Sequence, residues 1–128
     1  MRCLFLAVAF VATALVGCGG KGAPKLAPVT GKVTQQGTGL SAGVVYFYPA
    51  AGNTWAGEPP TSQLQLDGGF TISTYPHGEG VPPGDWKVTL SPALAGRIKR
   101  PDYADRNKTP WSLKVPDEGV KDHTFEVK

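Results

Sequence analysis

From Val29 onwards, apolar side chains recur at every second position in short runs, and glycine, proline or aspartate ends most of these runs. Successive side chains of a strand point to opposite faces of its sheet, so a two-residue period is typical of strands with one buried face. No window carries the i, i+3, i+4, i+7 stripe of a packed helix, although residues 92–100 have room for one helical turn. The period therefore predicts an all-β fold.

The runs predict about seven short strands joined by turns. Glycine contributes 17 residues and proline 12, which suits many turns and argues against long helices. Asp67-Gly68-Gly69 is typical of a hairpin turn, because glycine takes a positive φ without steric cost. We interpret residues 29–128 as one antiparallel β-sandwich domain. Its strands are expected near residues 29–35, 44–48, 63–66, 70–73, 86–90, 111–115 and 124–128.

The same alternation predicts which side chains fill the core. Each buried large apolar side chain contributes about 1.5–3 kcal/mol, so about a dozen can offset the chain entropy of one small domain. The predicted core consists of Val33, Val45, Phe47, Leu66, Phe70, Ile72, Trp86, Val88, Leu90, Leu113, Phe125 and Val127.

The first 17 residues follow a different pattern. After Arg2, the run from Leu4 to Val16 contains no charge and no proline. This length fits the roughly 7–15 apolar residues of a secretory signal and is short of the about 20 that a membrane-spanning helix needs. We expect residues 1–17 to form a signal helix that is cleaved on export.

The end of this run, Leu15-Val16-Gly17-Cys18, resembles the lipobox of bacterial lipoproteins. The resemblance implies that Cys18 becomes the first mature residue and carries fatty acyl chains such as palmitate, so membrane lipid is its expected partner. Residues 18–28 are then the lipidated cysteine and a flexible tether. Gly19, the second residue after the cut, favours the outer membrane over the inner. The alternative is an ordinary secretory signal with a chance cysteine.

Motifs along residues 29–90 occur in a recognisable order. They are Gly31-x-Val33, Gly39-Leu40, Gly43-x-Val45-x-Phe47, Asp67-Gly68-Gly69-Phe70-x-Ile72 and Pro83-Gly84-Asp85-Trp86-x-Val88. Together they resemble a carboxypeptidase regulatory-like domain, a small prealbumin-like (transthyretin-like) β-sandwich with immunoglobulin-like architecture. Asp102-Tyr103, Asp105 and Thr109-Pro110 precede the expected last hairpin, and with them residues 103–127 resemble the tail of short bacterial lipoproteins built on this domain. The resemblance implies a non-catalytic module that accompanies peptidases or stands alone at the cell surface.

The residues offer no recognisable catalytic or metal-binding pattern. The two cysteines are Cys3 and Cys18, so the body of the chain has none for a disulfide or a zinc site. His77 and His123 are far apart in sequence, without carboxylates at ligand spacing, and no serine lies in a Gly-x-Ser-x-Gly turn. We therefore predict no enzymatic activity, no metal and no cofactor. A formal charge of +3 is too small to indicate nucleic-acid binding.

Two features are candidates for binding a ligand or partner. Trp55 lies in a Gly/Pro-rich loop, where it either stacks on a sugar or peptide or caps one end of the sandwich. A longer segment, residues 91–108, either binds an anionic partner or glycan or is a solvated loop paired internally. Its candidate residues are Arg97, Lys99, Arg100, Tyr103 and Arg106.

These patterns together predict a non-enzymatic, lipid-anchored protein of the cell envelope that serves in structure or in contact with an envelope protein. The alternative is a carbohydrate- or peptide-binding accessory module at the cell surface.

Overall fold

The computed structural model describes residues 24–128. The predicted signal peptide, Cys18 and the first part of the predicted tether lie outside the described residues. Within them the chain forms two β-sheets, one short α-helix and one 3₁₀ helix. The predicted all-β class is confirmed.

Residues 24–128 form ten strands, whereas seven were expected. The expected strand at residues 70–73 is divided into two, and two further strands of two residues each were not predicted. The strands are β1 Val29–Gln35, β2 Thr38–Gly39, β3 Val44–Pro49, β4 Thr61–Gln63, β5 Gly69–Thr71, β6 Ser73–Thr74, β7 Gly78–Glu79, β8 Gly84–Leu90, β9 Ser112–Val115 and β10 Val120–Val127. Helix α1 spans Pro92–Arg97, and the 3₁₀ helix spans Pro101–Ala104.

The first sheet is built around β1, which pairs with β10 on one side and with β2 and β5 on the other. The β1–β10 pair is parallel, so the prediction of a wholly antiparallel sandwich is wrong for this pair. A Cβ atom at Gly31 would overlap the main-chain oxygen of His123 on β10. The strands approach this closely because glycine leaves the space empty.

The second sheet has six strands in the order β7-β6-β4-β3-β8-β9, and every pair in it is antiparallel. The segment from β5 to β6 passes from the first sheet to the second at Ile72, whose N–H donates to the Val29 carbonyl at 3.0 Å. One stretch of chain therefore contributes to both sheets.

Ten of the twelve predicted core residues are buried, and Leu113 is half-buried against the same cluster. The core also includes residues that the prediction omitted. These are Ala27, Val29, Leu64, Val81, Leu94, Tyr103, Trp111 and Val115.

The prediction that Leu66 is a core residue is wrong, because its side chain is 94 % exposed. Strand β4 ends at Gln63, and the next residues form a closed loop rather than a longer strand. Gln65 and Gly69 close that loop through a main-chain hydrogen bond of 2.9 Å. Leu66 therefore lies on the loop surface, and Leu64 is the buried residue of the pair.

The packed part of the chain begins before Val29. Ala27, which the sequence places in the flexible tether, is fully buried and exchanges two main-chain hydrogen bonds with Val81, each of 2.8 Å. A flexible spacer that includes Ala27 is therefore inconsistent with the structure.

Candidate functional site

The register of the second sheet separates the two predicted binding features. Strands β3 and β8 are antiparallel, with Pro49 opposite Trp86 and Val45 opposite Leu90. The loop that follows β3 and carries Trp55 therefore leaves one end of the sandwich. The segment that follows β8 leaves the opposite end, and only its later part, at Arg106 and Asn107, returns to residues 49–51 at the end of β3.

Two arginines of residues 91–108 bond within the protein. The Arg97 guanidinium at the end of α1 donates to the main-chain oxygens of Ser41 and Ala42. Arg100 donates two hydrogen bonds to the Asp102 carboxylate, at 3.3 and 3.1 Å. This pairing raises the pKa of Arg100 and lowers the pKa of Asp102. The internally paired alternative therefore fits this part of the segment.

Tyr103 belongs to the core and not to a binding surface. It is 1 % exposed, its ring packs edge-on against Trp111 at 4.7 Å between centroids, and the Arg100 guanidinium lies 4.9 Å from its centroid. Its hydroxyl accepts a hydrogen bond from the Lys128 N–H at 3.1 Å. Tyr103 thus joins the 3₁₀ helix to the end of β10.

The last two predicted residues of this segment have different surroundings. Lys99 is exposed and has a positive φ of 59° just after α1. Arg106 instead reaches the second sheet, where its guanidinium lies 5.6 Å from the centroid of the Tyr48 ring. The five candidates therefore do not form one cationic patch.

Trp55 is half-buried and held within its own loop. Its indole N–H donates to the Glu58 carbonyl at 2.9 Å, and its main-chain N–H donates to the Asn53 side chain at 3.0 Å. The ring packs against the core cluster and meets the His77 ring edge-on at 6.2 Å. These contacts fit the cap at one end of the sandwich better than a free stacking surface.

The two histidines are separate, as their sequence spacing indicates. His77 contacts Trp55, whereas His123 meets Phe125 edge-on at 4.5 Å between ring centroids. Partial burial lowers the pKa of His123, because desolvation disfavours the imidazolium. Across residues 24–128, no three side chains of His, Cys, Asp or Glu converge as metal ligands would.

The outer face of the first sheet carries a shallow polar depression of about 420 Å³. Asp67 lies at its edge, and its carboxylate accepts the Gly69 N–H at 2.9 Å, which lowers the pKa of Asp67. Lys32 lies 3.5 Å from the same carboxylate. The depression is also lined by Thr30, Gly31, Gln65, Gly69, Phe70, Thr71, Asp122 and Thr124.

The outer face of the second sheet carries a group of residues of which the sequence predicted only Arg106 as a binding residue. Tyr46 and Tyr48 project from β3 with ring centroids 6.1 Å apart and ring planes inclined by 21°. Lys87 is directly opposite Tyr48 on β8, and Arg106 lies over the Tyr48 ring. Asn107 and Arg106 line two adjacent depressions beside these residues. We call Tyr46, Tyr48, Lys87, Arg106 and Asn107 the tyrosine platform.

Part of this platform was visible in the sequence. Because Val45 and Phe47 point inward, strand alternation places Tyr46 and Tyr48 on the outer face. The approach of Arg106 could not be predicted, since it depends on the path of residues 98–108.

No helix within residues 24–128 is long and apolar enough to cross a membrane. Comparisons of the chain with protein-family models, with curated proteins and with solved structures found no match.

Proposed function

We propose that the chain is a non-enzymatic, lipid-anchored protein of the bacterial cell envelope, whose β-sandwich serves in structure or in contact with other envelope proteins. The observation that carries the proposal is the order of three features. An uncharged apolar run ends at Leu15-Val16-Gly17-Cys18, Gly- and Pro-containing residues follow, and a packed domain begins at Ala27.

The anchor would be the thiol of Cys18. Burial of acyl chains contributes about 0.8 kcal/mol per CH₂, so two or more chains hold a protein firmly where a single chain holds it marginally. Residues 19–26 separate Cys18 from the first core residue, and an extended chain spans at most about 3.3–3.6 Å per residue. The domain would therefore stay within about 30 Å of the bilayer surface. By analogy with the sorting of lipoproteins, Gly19 favours the outer membrane.

The finer fold that we propose is the prealbumin-like sandwich of carboxypeptidase regulatory-like domains. Two of the motif glycines, Gly68 and Gly84, have positive φ values of 85° and 142°. The aromatic residues that follow them, Phe70 and Trp86, are both buried. Turn glycines and inward aromatic residues at these motif positions support the proposal.

The absence of enzymatic activity is also part of the proposal. It is supported by the sequence, which lacks a nucleophile turn, and by the separate surroundings of His77 and His123, whose rings contact different aromatic residues. A base and a nucleophile must lie within hydrogen-bond reach to cooperate.

Metabolic labelling with an alkyne fatty acid tests the anchor. We expect the wild-type protein to carry the label and to fractionate with membranes, and Cys18→Ser to lose both properties. The matched control is Cys3→Ser, which removes the other cysteine and should leave the mature protein unchanged. Intact-mass spectrometry of an unmodified chain that starts at Met1, recovered from the cytosol, contradicts the proposal.

The second candidate function is a carbohydrate- or peptide-binding accessory module. In its first form this candidate relied on Trp55 acting together with residues 91–108. The contacts that hold Trp55 within its own loop, and the burial of Tyr103, disfavour that form. The tyrosine platform favours a different form of the same candidate. Glycan-array binding that is lost in Trp55→Ala would restore the first form.

A further inference from the structure

The position of the tyrosine platform restricts how it can recognise a ligand. Strand β3 lies inside the second sheet, with β4 on one side and β8 on the other. Its main-chain groups are paired with these neighbours, so an extended peptide cannot add to it as an extra strand. Recognition at this place must therefore use side chains.

The cations of the platform are available to a ligand. Among residues 24–128, the ion pairs are Lys25–Asp117, Lys32–Asp67 and Arg100–Asp102, and neither Lys87 nor Arg106 takes part in them. Asp105 lies beside Arg106, but its carboxylate accepts the Asn107 N–H at 2.8 Å. The lining of the two depressions beside the platform contains these two cations and the one carboxylate of Asp105, an excess of positive charge that favours an anionic ligand.

The shape of the surface favours a chain over an enclosed small molecule. One depression, of about 480 Å³, is lined by Tyr48 and residues 104–107. The other, of about 410 Å³, is lined by residues 49–51 and Lys87, and it shares Arg106 and Asn107 with the first. Small-molecule sites are mostly apolar concavities that bury most of their ligand. These two depressions are instead open and adjoin at Arg106 and Asn107, an arrangement that suits an extended ligand.

Hydroxyl groups surround the platform on the same face. Thr61 is directly opposite Tyr46, Ser73 is opposite Thr61, and Ser112 is opposite Lys87. Residues directly opposite in neighbouring strands share a face of the sheet. The surface thus combines aromatic rings, hydroxyl groups, an amide and two cations. These groups complement a polymer of sugar rings, which carry many hydroxyl groups, with acidic substituents.

We propose that the tyrosine platform binds an acidic polysaccharide. The negative ring faces and polar hydroxyls of the tyrosines contact sugar rings, whose C–H bonds carry the complementary charge. Arg106 and Lys87 donate charge-assisted hydrogen bonds to carboxylate or sulfate groups on the sugar. The proposal deepens the second candidate function and does not depend on acylation of Cys18, so the labelling experiment and the binding experiment fail independently.

Binding of polygalacturonate to the full-length protein in detergent tests the proposal, with neutral dextran and poly-glutamate as the comparison polymers. We expect saturable binding of polygalacturonate that weakens as salt rises from about 0.05 to 0.5 M, because salt screens exposed charges. Dextran and poly-glutamate should each bind at least about tenfold more weakly, a difference of about 1.4 kcal/mol.

Matched variants locate the site. Tyr48→Ala and Arg106→Ala should each weaken polygalacturonate binding about tenfold, whereas Tyr48→Phe, which keeps the ring, should retain most of it. The controls are Tyr75→Ala, which removes an exposed tyrosine from the β6–β7 turn, and Lys121→Ala, which removes an exposed cation from β10. Both controls should bind as the wild type does.

Three outcomes overturn the proposal. Poly-glutamate binding as tight as that of polygalacturonate shows that the surface recognises charge without sugar. Equal losses in the control and platform variants show that binding is diffuse. Absence of polygalacturonate binding by a wild-type protein with an intact thermal unfolding transition excludes this class of ligand.

Discussion

The inner faces of the two sheets are alike, but their outer faces differ. On the first sheet, Thr30, Thr71 and Thr124 surround Lys32, whose charge is paired with Asp67. On the second sheet, Tyr46 and Tyr48 lie beside Lys87 and Arg106, which form no ion pair within residues 24–128.

This difference separates residues whose type is explained by packing of the core from residues whose type needs another explanation, such as binding. Inner faces must exclude water, so their composition follows from folding alone. Outer faces need not exclude water, and threonine, which favours the strand conformation, is sufficient there. The two tyrosine rings beside Lys87 and Arg106 therefore support the proposal that the second sheet's outer face contacts a ligand.

The largest expected loss of stability comes from removing a large side chain from an inner face, compared with removing one from an outer face. Phe70 is 3 % exposed and stacks on Phe125 at 5.9 Å, so Phe70→Ala should lower the free energy of unfolding by about 3–5 kcal/mol. Urea denaturation measures the change, with Tyr48→Ala, on the outer face of the other sheet, as the control. Equal losses in the two variants would show that inner and outer faces are misassigned.

The next effect tests the close approach of β1 and β10. In Gly31→Ala the new methyl group overlaps the His123 main-chain oxygen and lies 2.7 Å from the Phe70 ring, so we expect a loss of about 2–3 kcal/mol. Gly96→Ala is the control, because a methyl group there meets no atom within 4 Å and alanine favours a helix. A melting temperature unchanged by Gly31→Ala would contradict the pairing.

A smaller effect is expected where the 3₁₀ helix meets the end of β10. Tyr103→Phe removes the hydroxyl that accepts the Lys128 N–H, which should cost about 1 kcal/mol and speed hydrogen exchange at that amide. Tyr75→Phe is the control, since Tyr75 is 77 % exposed. Unchanged exchange in Tyr103→Phe would exclude the bond.

His123 gives the first sheet a pH dependence. Burial lowers its folded pKa below the ordinary value of 6.5, so the unfolded chain binds the proton first as the pH falls. The contribution of His123 to stability should therefore be full above pH 6.5 and decline below it. Asp67 and Asp102, whose pKa values are lowered from 3.8, should reduce stability only at pH values below 3.8. Urea midpoints measured from neutral to mildly acidic pH check this decline.

The matched variant for this measurement is His123→Gln, which keeps a polar side chain but does not titrate. Its urea midpoint should lose the decline in the mildly acidic range. A decline of the same size in wild type and variant would assign the proton to another group.

The smallest stability effect is expected for the surface lysines. Lys32→Met breaks an exposed ion pair with Asp67 and Lys87→Met breaks none, so neither should change the unfolding midpoint measurably. Their effects on polygalacturonate binding should differ, because only Lys87 belongs to the tyrosine platform. Equal binding losses would remove the distinction between the two outer faces.

The sequence predicted the parts of the fold that depend on local alternation. Val45 and Phe47, with a period of two and a proline at the strand end, were placed correctly in a buried strand. Leu66 has the same local pattern, yet the hydrogen bond between Gln65 and Gly69 ends the strand before it. The turn closed by Gln65 and Gly69 thus places Leu66 at the surface, although its side chain is apolar.

The sequence could not predict contacts between distant segments. The burial of Tyr103 depends on Trp111 and on the end of β10, and the pairing of β1 with β10 joins residues about ninety positions apart. The cationic residues of 91–108 do not cluster for the same reason. Arg97 bonds to the main chain of Ser41 and Ala42, Arg106 lies over the Tyr48 ring, and Arg100 pairs with Asp102 inside the segment.

The parallel pairing of β1 with β10 makes the first and last strands of the domain neighbours. Because a chain is synthesised from its N-terminus, β1 is present long before β10. Until then, one side of β1 is an unpaired edge, able to template aggregation with other chains. A shortened chain that lacks β10 would keep this edge open, so it should aggregate through β1 more readily than the full chain.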